Sequence, residues 1–510
     1  MKKARVALIN PPILANNTTI HISLGYLATS LIHSGHEVKI IDACAPYKRL
    51  EKEQIIKEIL DFDPNFIGIT LNIVEIPSIY QFIRELRKLR IPIVAGGPHA
   101  NVCPEECLDH GVDITVLGEG EETIIELSDY FAKNSSDLNN IKGLCFKKDN
   151  GAIFRTEKRK LIEDLDKIPF LPFEYFPIRN YTGSDDPNSS STFWSLTSSR
   201  GCPFNCIFCC SHNMFERVCR KRSAENVFQE VESLVNKYGA KKFAFQDDEI
   251  LRSKKRILLF CDLIEKNNLD IKISIRTRID SIDTALLKRM KQVGFYRISF
   301  GIECWNDDSL MAVNKKYTVE KMKKGFSYLQ EANYSYLNFN GIIGFPWEKK
   351  EHLKKSLKTI SQIPKNFKYY IGMVLPIPFP GTELYTKYHE NFGFTKWWLD
   401  PKNHVININR NNHIPFFLKF TQEYYPLYMT NVYWKYNDRW KKEIESFCWK
   451  VFKLSIKRHL GIKDVFFAYY LSRISRFLWL RIPTFEKKIF AFVPKSYIRN
   501  IEKIIYYKQE

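Results

Sequence analysis

The chain has 510 residues, 45% hydrophobic and 26% charged, enough for about three domains with real cores. That balance excludes a mostly disordered chain, a collagen and a coiled-coil rod. Lys and Arg outnumber Asp and Glu by 77 to 57, a net charge of +20 that favours acidic or polyanionic contacts.

Residues 1–140 alternate short apolar runs with helical patterns. Val6–Ile9, Val38–Ile41, Phe66–Thr70, Ile93–Ala95 and Ile114–Leu117 read as buried strands. Leu24–His33, Lys52–Phe62, Pro77–Leu89, Glu105–His110 and Glu121–Phe131 read as the helices between them. Such alternation predicts an α/β fold with a doubly wound parallel sheet, whose ligands sit beyond the carboxyl ends of the strands. The segments at that edge hold Asn10, Thr70, Asn72, the run Gly96-Gly97-Pro98-His99 and the run Gly118-Glu119-Gly120-Glu121. Each alone is an ordinary βα turn; four together at one edge suggest a cofactor site. Residues 141–191 read as a hairpin around Asp149-Asn150-Gly151 followed by a connector. Its polar end, Ser184–Ser191, is expected to be a flexible loop.

Residues 192–402 alternate again. Strands are predicted at Phe193–Thr197, Lys242–Gln246, Ile271–Arg276, Arg297–Gly301, Leu337–Gly344 and Tyr370–Leu375. Six βα units fit a partial barrel, with chemistry on the loops after the strands. Residues 403–510 carry 20 Lys and Arg against 8 Asp and Glu and are dense in aromatics. They read as a basic, mainly helical region. The segment Asp464–Pro483 is either a surface-seeking helix or a helical cap with a solvated basic face. No run of roughly 18 apolar residues predicts a spanning helix, and no secretory signal follows Met1-Lys2-Lys3. Twelve cysteines without such a signal point to free thiols in a reducing, cytoplasmic setting.

Three of those cysteines, Cys202, Cys206 and Cys209, follow the first strand of the second set with C-x3-C-x2-C spacing. Three thiolates in eight residues suit an iron–sulfur cluster that keeps one iron open. Zinc is the competing metal, since Cys210, His212 or Cys219 could complete a set of four.

The run Ser199-Arg200-Gly201-Cys202-Pro203-Phe204-Asn205-Cys206-Ile207-Phe208-Cys209 resembles the radical S-adenosylmethionine (SAM) signature, including the aromatic Phe208. Phe245-Gln246-Asp247-Asp248, Arg278-Ile279-Asp280, Phe300-Gly301-Ile302-Glu303 and Gly341-Ile342-Ile343-Gly344-Phe345-Pro346 follow in the order seen in that superfamily. The resemblance implies a 4Fe–4S cluster on the three cysteines, with SAM on its open iron. One electron then cleaves SAM to methionine and a 5′-deoxyadenosyl radical. It also implies SAM contacts from Asp247, Asp248, Arg278, Glu303, Gly341 and Gly344. Residue by residue, Asp247 and Asp248 are SAM anchors or helix caps, and Arg278 is a fork for the SAM carboxylate or an ion pair.

The first 135 residues resemble the cobalamin-binding domain fused to one branch of the superfamily, through Leu24-Gly25-Tyr26-Leu27-Ala28, Gly35-His36-Glu37-Val38 and the two glycine loops. The Asp-x-His-x-x-Gly motif that supplies an axial histidine in the mutases is absent. The resemblance implies corrinoid contacts from Asn10, Thr70, Asn72, Gly96, Gly97, His99, Gly118 and Glu119. It further implies methyl transfer to an unactivated carbon or to phosphorus of a natural-product or lipid precursor. The electron donor would be a reductase such as flavodoxin or ferredoxin. Ring closure without methylation is the alternative chemistry, and a non-catalytic cluster and corrinoid sensor the alternative class. Nucleic acid is a minor expectation for the basic C-terminal region, beside a membrane surface.

Overall fold

The computed structural model describes residues 2–13, 19–73, 76–133, 137–189, 194–334, 336–364, 367–374, 376–391, 394–399 and 450. Nearly all of the basic C-terminal region, including Asp464–Pro483, therefore lies outside the described residues. The chain divides into two compact units. The first comprises Met1–Phe300, Val313–Lys315 and Ile377–Pro401, and the second includes Gly301–Ala312 and Lys316–Pro376. Among the described residues no helix is long and apolar enough to cross a membrane.

The first sheet is built from β1 (Arg5–Asn10), β2 (Glu37–Asp42), β3 (Phe66–Thr70), β4 (Ile93–Gly96), β5 (Ile114–Val116), β6 (Leu144–Lys147) and β7 (Ile153–Arg155). Its order is β2-β1-β3-β4-β5-β6-β7. The first five strands pair in parallel, as the alternation requires. They bury both faces, so their sequences are continuous apolar runs; Val6, Ala7, Leu8 and Ile9 are each fully buried. Parallel order carries all five carboxyl ends to one edge.

Three details add to the sequence reading or differ from it. The hairpin around Asp149-Asn150-Gly151 also joins the first sheet: β6 pairs antiparallel with β5 and β7 with β6. Gly151, at φ +80°, supplies its turn. The helix expected from Pro77 ends at Leu86, and Arg87–Leu89 tightens into a 3-10 turn. The loop after β4 itself opens a helix, Pro98–Val102, before Pro104–Asp109 follows. Proline at the first position of each loses no hydrogen bond, because that N–H has no helical acceptor. The described part of the expected flexible loop is also tied down. Asn188 donates to the Gly239 carbonyl at 2.9 Å and accepts from the Lys241 N–H at 3.0 Å.

Eight further strands follow. They are β8 (Trp194–Leu196), β9 (Ser199–Arg200), β10 (Arg220–Lys221), β11 (Lys242–Phe245), β12 (Lys272–Thr277), β13 (Phe295–Glu303), β14 (Tyr336–Ile342) and β15 (Lys368–Val374). β9 and β10 form a small antiparallel pair around the cysteine segment. In the first unit β8, β11, β12 and the start of β13 pair in parallel, and in the second unit β14 pairs in parallel with β15. Helices alternate with them. Ala224–Tyr238 begins where the Ser223 side chain accepts from the Asn226 N–H at 3.0 Å, and ends at Gly239, φ +62°. This is the strand–helix alternation expected of a partial barrel.

Candidate active site

The cysteine triplet sits in a loop held by its flanks. Gly201 has φ +82°, and a Cβ there would run into the Val218 carbonyl and Phe215, so no other residue fits without movement. The Cys209 N–H donates to the Cys206 carbonyl at 3.0 Å, closing a tight turn between two of the three thiols. Ile207 donates to Val313 and accepts from Leu384, and Asn314 donates to the Asn205 carbonyl at 2.7 Å. The Arg278 guanidinium lies 3.7 Å over the Phe204 ring.

Cys202, Cys206 and Cys209 are free thiols. Burial pushes Cys202 up to about 11 and Cys209 up to about 12. Backbone N–H groups of Phe204 and Ser211 act in the opposite direction on the two sulfurs. Such donors favour the thiolate that iron needs. Among the described residues no three His, Cys, Asp or Glu side chains converge tightly enough for one metal ion. A cluster does not require that convergence, because each thiolate binds its own iron. Three soft sulfur donors fit a cluster with one open iron, and Cys210, also a free thiol, adjoins the third of them.

Asp247, at the end of β11, is buried and accepts from the Ser198 N–H at 3.0 Å, Ser198 Oγ at 2.7 Å and Ser199 Oγ at 2.5 Å. Burial raises its pKa, while these donors and Arg256 oppose the rise. Its carboxylate thus joins β11 to the segment entering the triplet and caps no helix. Asp248 accepts from Ser211 Oγ at 2.7 Å, just beyond the third cysteine.

Of the two roles expected for Arg278, the structure shows the ion pair. Its fork is filled by Asp280, with Nε 2.9 Å from Oδ1 and Nη2 3.0 Å from Oδ2, and Nη2 also donates to the Lys315 carbonyl at 2.5 Å. Arg278 is thus a buried guanidinium, ion-paired to Asp280 and stacked on the triplet loop. Phe208 is half-buried in that loop.

In the second unit Glu303 ends β13 at φ +65°, a strained conformation for a non-glycine residue. A Cβ on Gly341 would lie 2.6 Å from Met373 Sδ and 2.8 Å from Trp305 Nε1, so close packing dictates that glycine. Gly344, at φ +94°, donates its N–H to Glu348 Oε2 at 2.7 Å.

At the edge of the first sheet Asn10 is buried and donates to Asp42 Oδ1 at 2.7 Å, while Tyr181 holds Oδ2 at 2.7 Å. Thr70 and Asn72 flank the turn after β3, and Asn72 is exposed. Gly97 has φ +94°, and a Cβ there would meet Thr70 Oγ1 at 2.8 Å. Cβ atoms on Gly96 or Gly118 would meet nothing within 4 Å, which leaves open space along the edge for a ligand. His99 is buried; its Nε2 lies 3.0 Å from both Tyr80 Oη and Glu106 Oε1, and its Nδ1 has no hydrogen-bond partner among the described residues.

Glu119, expected as a corrinoid contact, has its carboxylate engaged by protein. It is buried and bonds to Arg200 at 2.9 Å and to Arg220 at 2.6 and 3.0 Å. Arg200 reaches Glu121 as well, at 2.5 Å. The glycine loop after β5 is therefore ion-paired to the residue that precedes Gly201 and the triplet. Asn101 makes a second tie, accepting from the Gly118 N–H at 2.8 Å and donating to the Asn213 carbonyl at 2.9 Å. The sequence signalled none of these partners. Arg200 lies 81 residues from Glu119 and Arg220 lies 101, so only the fold shows the pairing.

Comparison with known proteins agrees with this division. Residues 14–128 match the B12 binding domain and residues 196–360 match the Radical SAM superfamily. The chain is 31% identical over 397 residues to an uncharacterized methyltransferase of Pyrococcus horikoshii, covering 76% of this chain and 83% of the relative. It is 28% identical over 437 residues to the anaerobic magnesium-protoporphyrin IX monomethyl ester cyclase of Cereibacter sphaeroides, covering 79% and 68%. Among solved structures, the radical SAM methyltransferase TsrM of Kitasatospora setae, with cobalamin and a [4Fe-4S] cluster bound, aligns with a TM-score of 0.62 at 18% identity, over 77% of this chain and 75% of that one. At that identity the two share a fold. With its two matched domains and its Pyrococcus relative, the chain belongs to the radical SAM enzymes that carry a B12-binding domain.

Proposed function

We propose that this enzyme transfers a methyl group from SAM to an unactivated carbon, or to phosphorus, of a small natural-product or lipid precursor, with electrons from a flavodoxin- or ferredoxin-like donor. The observation that carries the reading is the double tie between the open glycine edge and the triplet loop. Glu119 and Asn101 join the two within one compact unit. When bound, the cluster supplies the electron that cleaves SAM, and the corrinoid supplies a methyl carrier. The chain's part is to hold both in fixed register. Cys202, Cys206 and Cys209 hold the iron, Asp247 and Gly201 set the loop, and Gly96, Gly97 and Gly118 leave room for the corrinoid. Glu303, Gly341 and Gly344 are assigned to SAM through their place in the motif order. Likeness to a cyclase favours one second reading, radical ring closure without methylation.

Products separate the two. Anaerobic enzyme loaded with cobalamin and reduced in the presence of SAM is expected to release both 5′-deoxyadenosine and S-adenosylhomocysteine. Enzyme prepared without cobalamin should release only the first. S-adenosylhomocysteine that is absent from cobalamin-loaded enzyme, even with the substrate's source extract added, would rule out methyl transfer.

A further inference from the structure

Within the first unit the second sheet has two faces of opposite chemistry. One face packs on helices. Phe245 lies 5.9 Å from Phe260, Phe260 lies 6.4 Å from Phe295, and Trp194 lies 5.1 Å from Tyr238. Ile273, Ile275 and Ile298 on that face are almost wholly buried. The opposite face carries Ser195, Ala244, Ser274 and Arg297 in one row across the strands. The next row places Arg276 beside Ser299, with Gln246 on the same side by alternation. Gln246 donates to Ser195 Oγ at 3.4 Å, consistent with that side.

Arg297 reaches this face through an irregularity. Ile273 pairs with Phe295, but Ser274 pairs with Arg297, so Tyr296 is an extra residue in the strand. In unbroken register Arg297 would oppose Ile275 and point into the helices. A bulge of this kind re-aims a side chain and is common beside active sites.

The result is two arginines diagonally adjacent on a surface of hydroxyls and an amide. None of these seven residues is acidic. Arg276 is solvent-accessible and has no hydrogen-bond or ion-pair partner among the described residues. Guanidinium forks match the oxygens of carboxylates and phosphoryl groups.

We propose that Arg276 and Arg297 form an oxyanion-binding site on this face, and that the substrate carries a carboxylate or a phosphoryl or phosphonyl group which they hold. Only the word substrate rests on the methyl-transfer reading; the anion site stands on the sheet's geometry alone. The carboxylate of SAM has the same chemistry, so the test must separate it from a substrate anion.

Calorimetric titration of the anaerobic, cluster-loaded full chain at saturating SAM does so, with inorganic pyrophosphate in one series and succinate in another. At least one anion is expected to bind. Arg276→Gln and Arg297→Gln should each weaken it by about tenfold or more, the worth of one charged hydrogen-bonding group. Arg276→Lys should weaken it less, and SAM affinity should stay at the wild-type value. Preference for pyrophosphate assigns a phosphoryl or phosphonyl substrate, and preference for succinate a carboxylate. Arg276 is exposed, so its variants should keep the wild-type unfolding midpoint. The proposal is overturned if neither anion binds, if the substitutions leave binding unchanged, or if they weaken SAM by the same factor. Titration needs no turnover, so its failure leaves the methyl-transfer reading intact. Missing S-adenosylhomocysteine would sink that reading and leave the anion site standing.

Discussion

Cys202→Ala is expected to lose SAM cleavage completely while keeping cobalamin affinity and the unfolding midpoint near wild type. Cys202 is half-buried in a loop whose shape is set by Gly201, by the Cys209–Cys206 turn and by Asp247. Removing one sulfur leaves that shape but strips one iron of its ligand. The glycine edge proposed for cobalamin belongs to another sheet, so corrinoid binding should not change. Anaerobic purification, iron and sulfide analysis and 5′-deoxyadenosine assay check this outcome. A variant that still holds its cluster and cleaves SAM at the wild-type rate would remove Cys202 from the site.

Glu119→Ala is expected to be the most destabilising single change at the join between the two sheets, by about 3–5 kcal/mol, because it leaves two buried guanidiniums without their shared anion. Burial alone would raise the Glu119 pKa, but Arg220, Arg200 and the Ile162 N–H more than offset it, so the folded-state value lies below the usual 4.5. The sign follows from linkage. A depressed carboxylate contributes its full stability above the unfolded value, and that contribution disappears as pH falls through the folded value. Denaturant unfolding between neutral pH and the range below 4.5 should therefore show a loss in wild type. Glu119→Gln should lower stability at neutral pH and flatten the acid loss. Equal stability of wild type and Glu119→Ala at neutral pH would contradict the network.

Much of this architecture was legible in the sequence. Apolar runs such as Val6–Ile9 and Phe66–Thr70 become buried parallel strands because a sheet covered on both faces needs continuous apolar sequence. The triplet was legible because its spacing is local and its chemistry specific. What stayed hidden was pairing across distance. Arg278 was read as a ligand fork or an ion pair and Glu119 as a ligand contact, because a charged residue at a strand end suits a ligand. Whether a protein partner already fills it depends on the fold, and here Asp280 fills one and Arg200 with Arg220 the other. The hairpin's place in the sheet was hidden for the same reason. The bulge at Tyr296 was invisible too, since one extra residue in a strand changes the facing of Arg297 without changing composition.

The measurement that most directly tests the central claim is the cofactor content of the full chain, purified anaerobically from cells supplied with cobalamin. A cobalamin-dependent radical SAM enzyme will carry iron and sulfide in equal amounts and a corrinoid at about one per chain, and the Cys202→Ala variant will keep only the corrinoid. Zinc in place of iron, or a chain that takes up no corrinoid when its cluster is intact, would contradict the account.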